Sequence, residues 1–280
     1  MIPCKVLPID QEEIVAVSRV LYSKNLGMGK VVKELESEFA QYVGSKYAVA
    51  VDSCTSALFL SLKYRALNNN GHLPTPVKIP SMTVPLVANT ILHAGGRIEF
   101  VTNCDWVGHH YELQPYNIID SAHEVSKDEF KQFNYDTLLC FSFYPTKPIS
   151  SCEGGMICTN DSHAVEWLQK ARFYGRNSSS SISKNSWEYD IEFPGWKMNM
   201  TEVQAAIALE QLRKLPDLSL MRQAVVDQYN VLLEEHNTSL YLYRIRVNER
   251  NDFIKWMLEN EVECGVHFRP LHTMTPFKNH

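Results

Sequence analysis

The twenty residues FSFYPTKPISSCEGGMICTN, positions 141–160, decide how this chain folds. An apolar run, Thr137–Phe143, closes in two aromatics and stops before Lys147; Glu153-Gly154-Gly155 follows and opens a second run, Gly155–Thr159. Short apolar runs bounded by Pro, Gly and small polar residues fit buried strands better than helices. Lys147 then lies in the loop between two strands, where it can be a solvated cation, a phosphate ligand or the amine of a covalent catalyst.

Outward from this stretch the same pattern repeats. Strands are predicted at Tyr47–Val51, Val77–Pro80, Arg97–Val101 and Asn117–Asp120, with helices near Ser56–Tyr64, Val84–Leu92 and His163–Arg172. That alternation defines an α/β protein, a sheet with helices on its faces. From Thr201 a long helix is expected, with Met221, Ala224, Val225, Tyr229 and Leu232 on one face. Beyond it, LYLYRIRV and ECGVHFRPL read as strands around a helix in NDFIKWMLEN, a small second domain on which residues 1–25 pack. The serine-rich stretch 176–186 reads as a surface loop.

Composition narrows the class. With 280 residues, 45% of them hydrophobic, the chain can bury a large core. Seven cysteines without C-x-x-C pairs fit buried thiols rather than a disulfide framework or a zinc site, so no metal is expected. A net charge of −5 without a basic block gives no reason to expect nucleic acid, and no apolar segment suggests a signal or membrane span; a cytoplasmic protein is expected.

Several residues can carry chemistry. Ser53-Cys54-Thr55-Ser56 lies where a strand enters a helix, which is a phosphate seat or an ordinary N-cap. GMGK, 27–30, lacks the first glycine and the Ser/Thr of a P-loop, and no G-x-G-x-x-G follows a strand. Asp120 ends a strand and points to the crevice of an open sheet, or caps the next helix; His123 is a ligand or a core histidine. With Ser142 and Lys147 these make a phosphate seat, a carboxylate and an amine at strand ends, the parts a phosphorylated pyridine cofactor needs.

These motifs resemble the DegT/DnrJ/EryC1/StrS sugar aminotransferase family, fold type I enzymes that use pyridoxal 5'-phosphate. SFYPTK with EGGMICTND resembles its lysine segment, SCTSALFLSL its phosphate loop and IIDSAHE its Asp-His segment; IPSMTVPLVANTILHAGGRIEFV, PGWKMNMTEVQAAIALEQL and GVHFRPLHT follow in the family's order. The resemblance implies a three-layer αβα large domain over 1–215, which binds the cofactor, and a truncated α+β domain over 216–280. It implies Lys147 as the Schiff-base lysine, Asp120 on the pyridine nitrogen and His123 near the phenolic oxygen. Thr55, Ser56 and Ser142 would hold the phosphate, completed by Lys197 and Asn199 of a second subunit in a homodimer. The implied reaction moves an amine from glutamate to a nucleotide-linked 4-keto sugar, and the details look most like the branch acting on UDP-4-keto-pentose in the 4-amino-arabinose pathway. His267, Arg269 and His272 are substrate candidates or second-domain surface residues.

Three departures stand out. Val84 takes the place of the aromatic that stacks on the cofactor. Only about a dozen residues separate FVTNCDW from YNIIDSAH, too few for the family's helix-strand-helix unit, so about six strands are expected, paired directly or around a gap. The chain also stops soon after GVHFRPLHT. These favour, as the rival reading, a trimmed cofactor- or sugar-nucleotide-binding protein without catalysis; a generic phosphate-binding α/β domain is a third.

Overall fold

A computed structural model describes residues 1–3, 7–102, 105–177 and 189–278. Helices α1 (Gln11–Ser23) and α2 (Lys30–Val43) precede β1 (Tyr47–Val51) and α3 (Cys54–Ala66). Then come β2 (Val77–Pro80), α4 (Pro85–His93), β3 (Ile98–Val101), β4 (Tyr111–Leu113) and β5 (Ile118–Asp120). The chain continues through β6 (Leu138–Ser142), β7 (Gly155–Thr159), α5 (Ser162–Ala171), α6 (Glu202–Leu233) and α7 (Arg250–Glu259).

Five strands form a mixed sheet in the order β1-β7-β6-β5-β4, in which only β5 and β6 are parallel, while β2 and β3 pair in parallel beside it. Successive strand residues face opposite sides, and the core divides accordingly. Val49, Val51, Leu138, Cys140 and Ile157 pack with α3, α4 and α5, whereas Ala48, Ala50, Leu139, Phe141, Met156 and Cys158 pack with α2 and the first half of α6. Two buried faces explain why the strands read as continuous apolar runs. The result is three layers, helix on sheet on helix.

All six strands expected before α6 form, and β4 is a seventh that the sequence reading missed. The short stretch in which a helix-strand-helix unit was expected to be absent folds back as a hairpin, Tyr111 opposite Asp120. Its turn joins the second sheet through Lys78, whose amide donates to Gln114 O at 2.8 Å. Of the two expected outcomes, direct pairing or a gap, the structure shows neither in full: an antiparallel strand stands between the two sheets and bridges them at Lys78 and Gln114.

The two strands expected after α6 do not form. Side chains take the backbone bonds a ladder would have used: Ser239 Oγ accepts from the amides of Tyr241 and Leu242 and donates to Gly108 O, and Asn237 bonds both the amide and the carbonyl of Arg244. Described residues after α7 hold only two 3₁₀ turns, at Leu271–Thr273 and Thr275–Phe277. Leu271 and Phe277 are buried in the main core. At the other terminus Ile2 pairs with Glu261 and Glu263, while α1 lies along α6, where Gln211 and Lys214 both bond the buried Glu13.

Among the described cysteines Cys54, Cys140 and Cys158 are buried as expected, but Cys152 is exposed and Cys264 partly so. The expected loop at 176–186 falls, from 178 on, outside the described residues. No described helix is long and apolar enough to cross a membrane.

Candidate active site

The site assembles where β1, β5, β6 and the turn before α3 end together. Ser53 caps α3: its Oγ accepts from Ser56 N at 3.1 Å and lies 3.0 Å from Ser56 Oγ. This turn presses against β7, because a Cβ on Gly155 would sit 2.6 Å from the carbonyl carbon of Ser53. Only glycine lets the helix start so close to the sheet. Thr55 is exposed in the first turn and Ser56 is buried, beside amides that have no acceptor within the helix.

Asp120 is 4% exposed, the last residue of β5. Burial pushes its carboxyl up, opposed by the amide of Ala122 (3.0 Å), the hydroxyl of Tyr111 (2.9 Å) and the positive charge of Lys147. Lys147 also counters the rise that burial and Asp120 impose on the Cys54 thiol. Lys147, Asp120 and the Cys54 thiol at the start of α3 thus lie within electrostatic reach of one another.

Lys147 is half-buried in the loop after β6. A turn bond from its amide to Tyr144 O (2.8 Å) shapes the loop, and Ser142 Oγ accepts from Tyr144 N at 3.4 Å. Arg222 on α6 donates through both terminal nitrogens to Pro148 O at 3.3 Å, fixing the residue after the lysine. The ammonium lies 4.8 Å from the ring centre of Tyr241.

His123 is buried and its Nδ1 accepts from Gly108 N at 3.2 Å. Its ring stacks on Trp106 (5.1 Å) and meets Tyr241 (4.7 Å) and Phe268 (5.9 Å). Val84, the N-cap of α4, packs into the core and supplies no ring. Aromatic surface reaches His123 from three other elements instead.

The remaining candidates are dispersed. Lys197 is exposed and bonds Asn199, which pairs with Val51 of its own chain at the end of β1. His267 precedes Phe268 at the aromatic cluster, but Arg269 and His272 are exposed, and Arg269 bonds Thr273. The sequence reading missed Tyr111, Trp106, Tyr241, Phe268 and Arg222. For Tyr111 a signal existed: YEL and IID flank QPYN, a four-residue turn segment of a hairpin. Tyr241 and Arg222 carry none, since only the path of α6 brings them to Lys147.

The DegT/DnrJ/EryC1/StrS aminotransferase family matches residues 8–120 and 118–280. The chain belongs to that family. The two matched segments meet at β5, the strand that β4 pairs with. The spore coat polysaccharide biosynthesis protein SpsC of Bacillus subtilis is 30% identical, over 94% of this chain and 82% of its own. The UDP-4-amino-4,6-dideoxy-N-acetyl-beta-L-altrosamine transaminase of Campylobacter jejuni is 24% identical, over 96% of this chain and 84% of its own. Among solved structures, Spr1654 of Streptococcus pneumoniae in its PMP-form superposes with a TM-score of 0.82 at 23% identity, over 100% of this chain and 88% of its own. Its PLP-form superposes as well.

Pyridoxal phosphate is the cofactor of this family. The residues present fit it: the hydroxyls of Thr55 and Ser56 at the N-terminal end of α3 for a phosphate, a buried carboxylate for a protonated ring nitrogen, and an amine in its field.

Proposed function

We propose that this chain is a pyridoxal-phosphate-dependent sugar aminotransferase that takes the amine from glutamate and delivers it to carbon 4 of a nucleotide-linked keto sugar. The observation that carries the reading is the buried Asp120 at the end of β5, next to β6, whose following loop carries Lys147, with the capped start of α3 packed against the neighbouring β7. Bound there, the cofactor supplies an electron sink that acidifies the substrate carbon. Lys147 would hold the cofactor and move the proton at that carbon, Asp120 would accept from the ring nitrogen, and His123 would lie near the phenolic oxygen. Thr55, Ser56 and Ser142 hold the phosphate.

The motifs resemble the branch acting on UDP-4-keto-pentose, while the Campylobacter jejuni relative is named for a UDP-linked 4-amino-4,6-dideoxy sugar. Both place the amine at carbon 4, hence the choice of that position. His267, Arg269 and His272 meet the sugar nucleotide, the exposed Arg269 offering donors to a diphosphate. Residues 1–215 form the cofactor-binding domain and 216–280 the small one, and two copies pair so that each lends Lys197 and Asn199 to the other's phosphate seat.

An absorbance spectrum tests this. Purified protein given pyridoxal phosphate is expected to develop a visible band that borohydride fixes and glutamate bleaches, and Lys147→Ala is expected to lack it. A protein that takes up no cofactor refutes the reading; a band indifferent to glutamate supports the non-catalytic binding protein instead.

A further inference from the structure

Tyr111 belongs to β4, the hairpin strand beside β5, and no sequence motif assigns it a role. It is buried, its hydroxyl 2.9 Å from Asp120 Oδ2 and 3.0 Å from Thr83 Oγ1. Thr83 is buried too. A carboxylate has no hydrogen to give, and a phenol has one. While Asp120 is charged, Tyr111 must therefore donate to Asp120, and Thr83 must donate to Tyr111. The relay runs one way, Thr83 to Tyr111 to Asp120, and each bond polarises the next.

Burial works against the charge on Asp120, and the donors that oppose it are few: the Ala122 amide and the Tyr111 hydroxyl, with Lys147 acting through space. The amide holds Oδ1 and the phenol holds Oδ2, so the pair also fixes the plane of the carboxylate. Tyr111 is itself held in place by Trp106, whose ring lies 4.5 Å from it. Burial and the neighbouring Asp120 push the phenol's own titration far up, which keeps it a donor.

We infer that Tyr111, backed by Thr83, is a positioning residue that presents the Asp120 carboxylate, oriented and charged, to the cofactor's ring nitrogen. This rests on the cofactor reading above and goes beyond it: the β4 hairpin supplies the acid with a side-chain donor. Tyr111 touches neither substrate nor cofactor; it acts through Asp120.

The test uses the full chain, pyridoxal phosphate labelled at its ring nitrogen, and the variants Tyr111→Phe and Thr83→Val. In the wild type the ring-nitrogen NMR resonance is expected in the protonated range. In Tyr111→Phe it moves toward free pyridine, and cofactor affinity falls about ten- to a hundredfold, the range for loss of a hydrogen bond to a charged group. Thr83→Val, which keeps the phenol, shifts the resonance the same way with an affinity loss of about threefold, and it carries the test if Tyr111→Phe does not fold. A purely structural role for Tyr111 would lower the melting temperature without moving the resonance. Folded variants with wild-type resonance and affinity overturn the inference. A wild type that takes up no cofactor overturns the cofactor reading instead, before any variant is compared.

Discussion

Asp120 shows how a functional group sets itself against stability. Burial raises its carboxyl, so the folded state holds a proton more tightly than the unfolded chain does, and stability falls as pH rises from about 3.9 toward the folded value. Asp120→Asn removes that loss and keeps every hydrogen bond: its oxygen accepts from Ala122, its NH₂ donates to Tyr111, and Tyr111 turns to Thr83, reversing the relay. The variant's cofactor-free protein is expected to melt roughly 2–4 °C higher at neutral pH, the shift given by about 1 kcal/mol in a domain of this size, while cofactor binding weakens sharply. A lower melting point would show that the charge is better compensated than the contacts indicate. Glu129 offers a cleaner pH experiment. Burial pushes it up to about 7 from 4.5, although Ser121 and the amide of Ser126 bond its two oxygens. Stability contributed by its proton is full below pH 4.5 and lost as pH climbs to about 7. Its neighbour Glu124 is also pushed up by burial, but bonds from His109, His110 and Ser126 outweigh this and hold it low, so its contribution is lost only as pH falls. Denaturant midpoints measured across that window should decline with pH in the wild type and decline less in Glu129→Gln.

Elements were legible where one physical cause fixed them. Buried strands announced themselves as apolar runs because both faces of the sheet are covered, and α6 by helical periodicity; its start is held by a capping box, in which Thr201 Oγ1 accepts from Gln204 N and Gln204 accepts from Thr201 N. The strands expected after α6 failed because alternation gives a strand a face but not a partner, and Asn237 and Ser239 supplied competing bonds. The start of α2 was equally illegible, since its cap comes from far along the chain. Gly29 has no side chain to cap with, and Glu202 of α6 does so instead, accepting from the amides of Gly29 (2.9 Å), Val31 (3.0 Å) and Val32 (2.9 Å). A buried carboxylate at a helix N-terminus satisfies three orphan donors and meets the positive dipole end. Glu202→Ala is expected to cost about 2–3 kcal/mol, measured as a lower urea midpoint, with the first-turn amides of α2 losing hydrogen-exchange protection. Unchanged exchange there would mean that water replaces the carboxylate at little cost.

At the scale of the molecule the site is closed by two local devices. The β4 hairpin pairs beside Asp120, and the C-terminal residues return to the main body rather than building a sheet of their own. Leu271 N donates to Ser81 O at 2.7 Å, and the ring of Phe277, 2% exposed, meets Phe100 of β3 edge-on at 6.5 Å. Sequence could not reveal this docking, because PLHTMTPF carries neither helical nor strand periodicity and its burial depends on a pocket built by distant elements. It has a mechanical consequence. Phe268 lies in the same returning segment and packs on Trp106 and His123, so the tail ties the aromatic side of the site to the core. If Phe277 is part of that core, Phe277→Ala leaves a cavity that the fully buried surroundings cannot refill, at about 3–5 kcal/mol. The whole protein should then unfold at lower denaturant in one transition, with near-ultraviolet dichroism from Trp106 and activity lost together. A flap merely resting on the surface would behave otherwise: the main transition would keep its midpoint, and only proteolysis after Leu258 would quicken. Denaturant unfolding followed by tryptophan dichroism, with a parallel protease time course, separates the two.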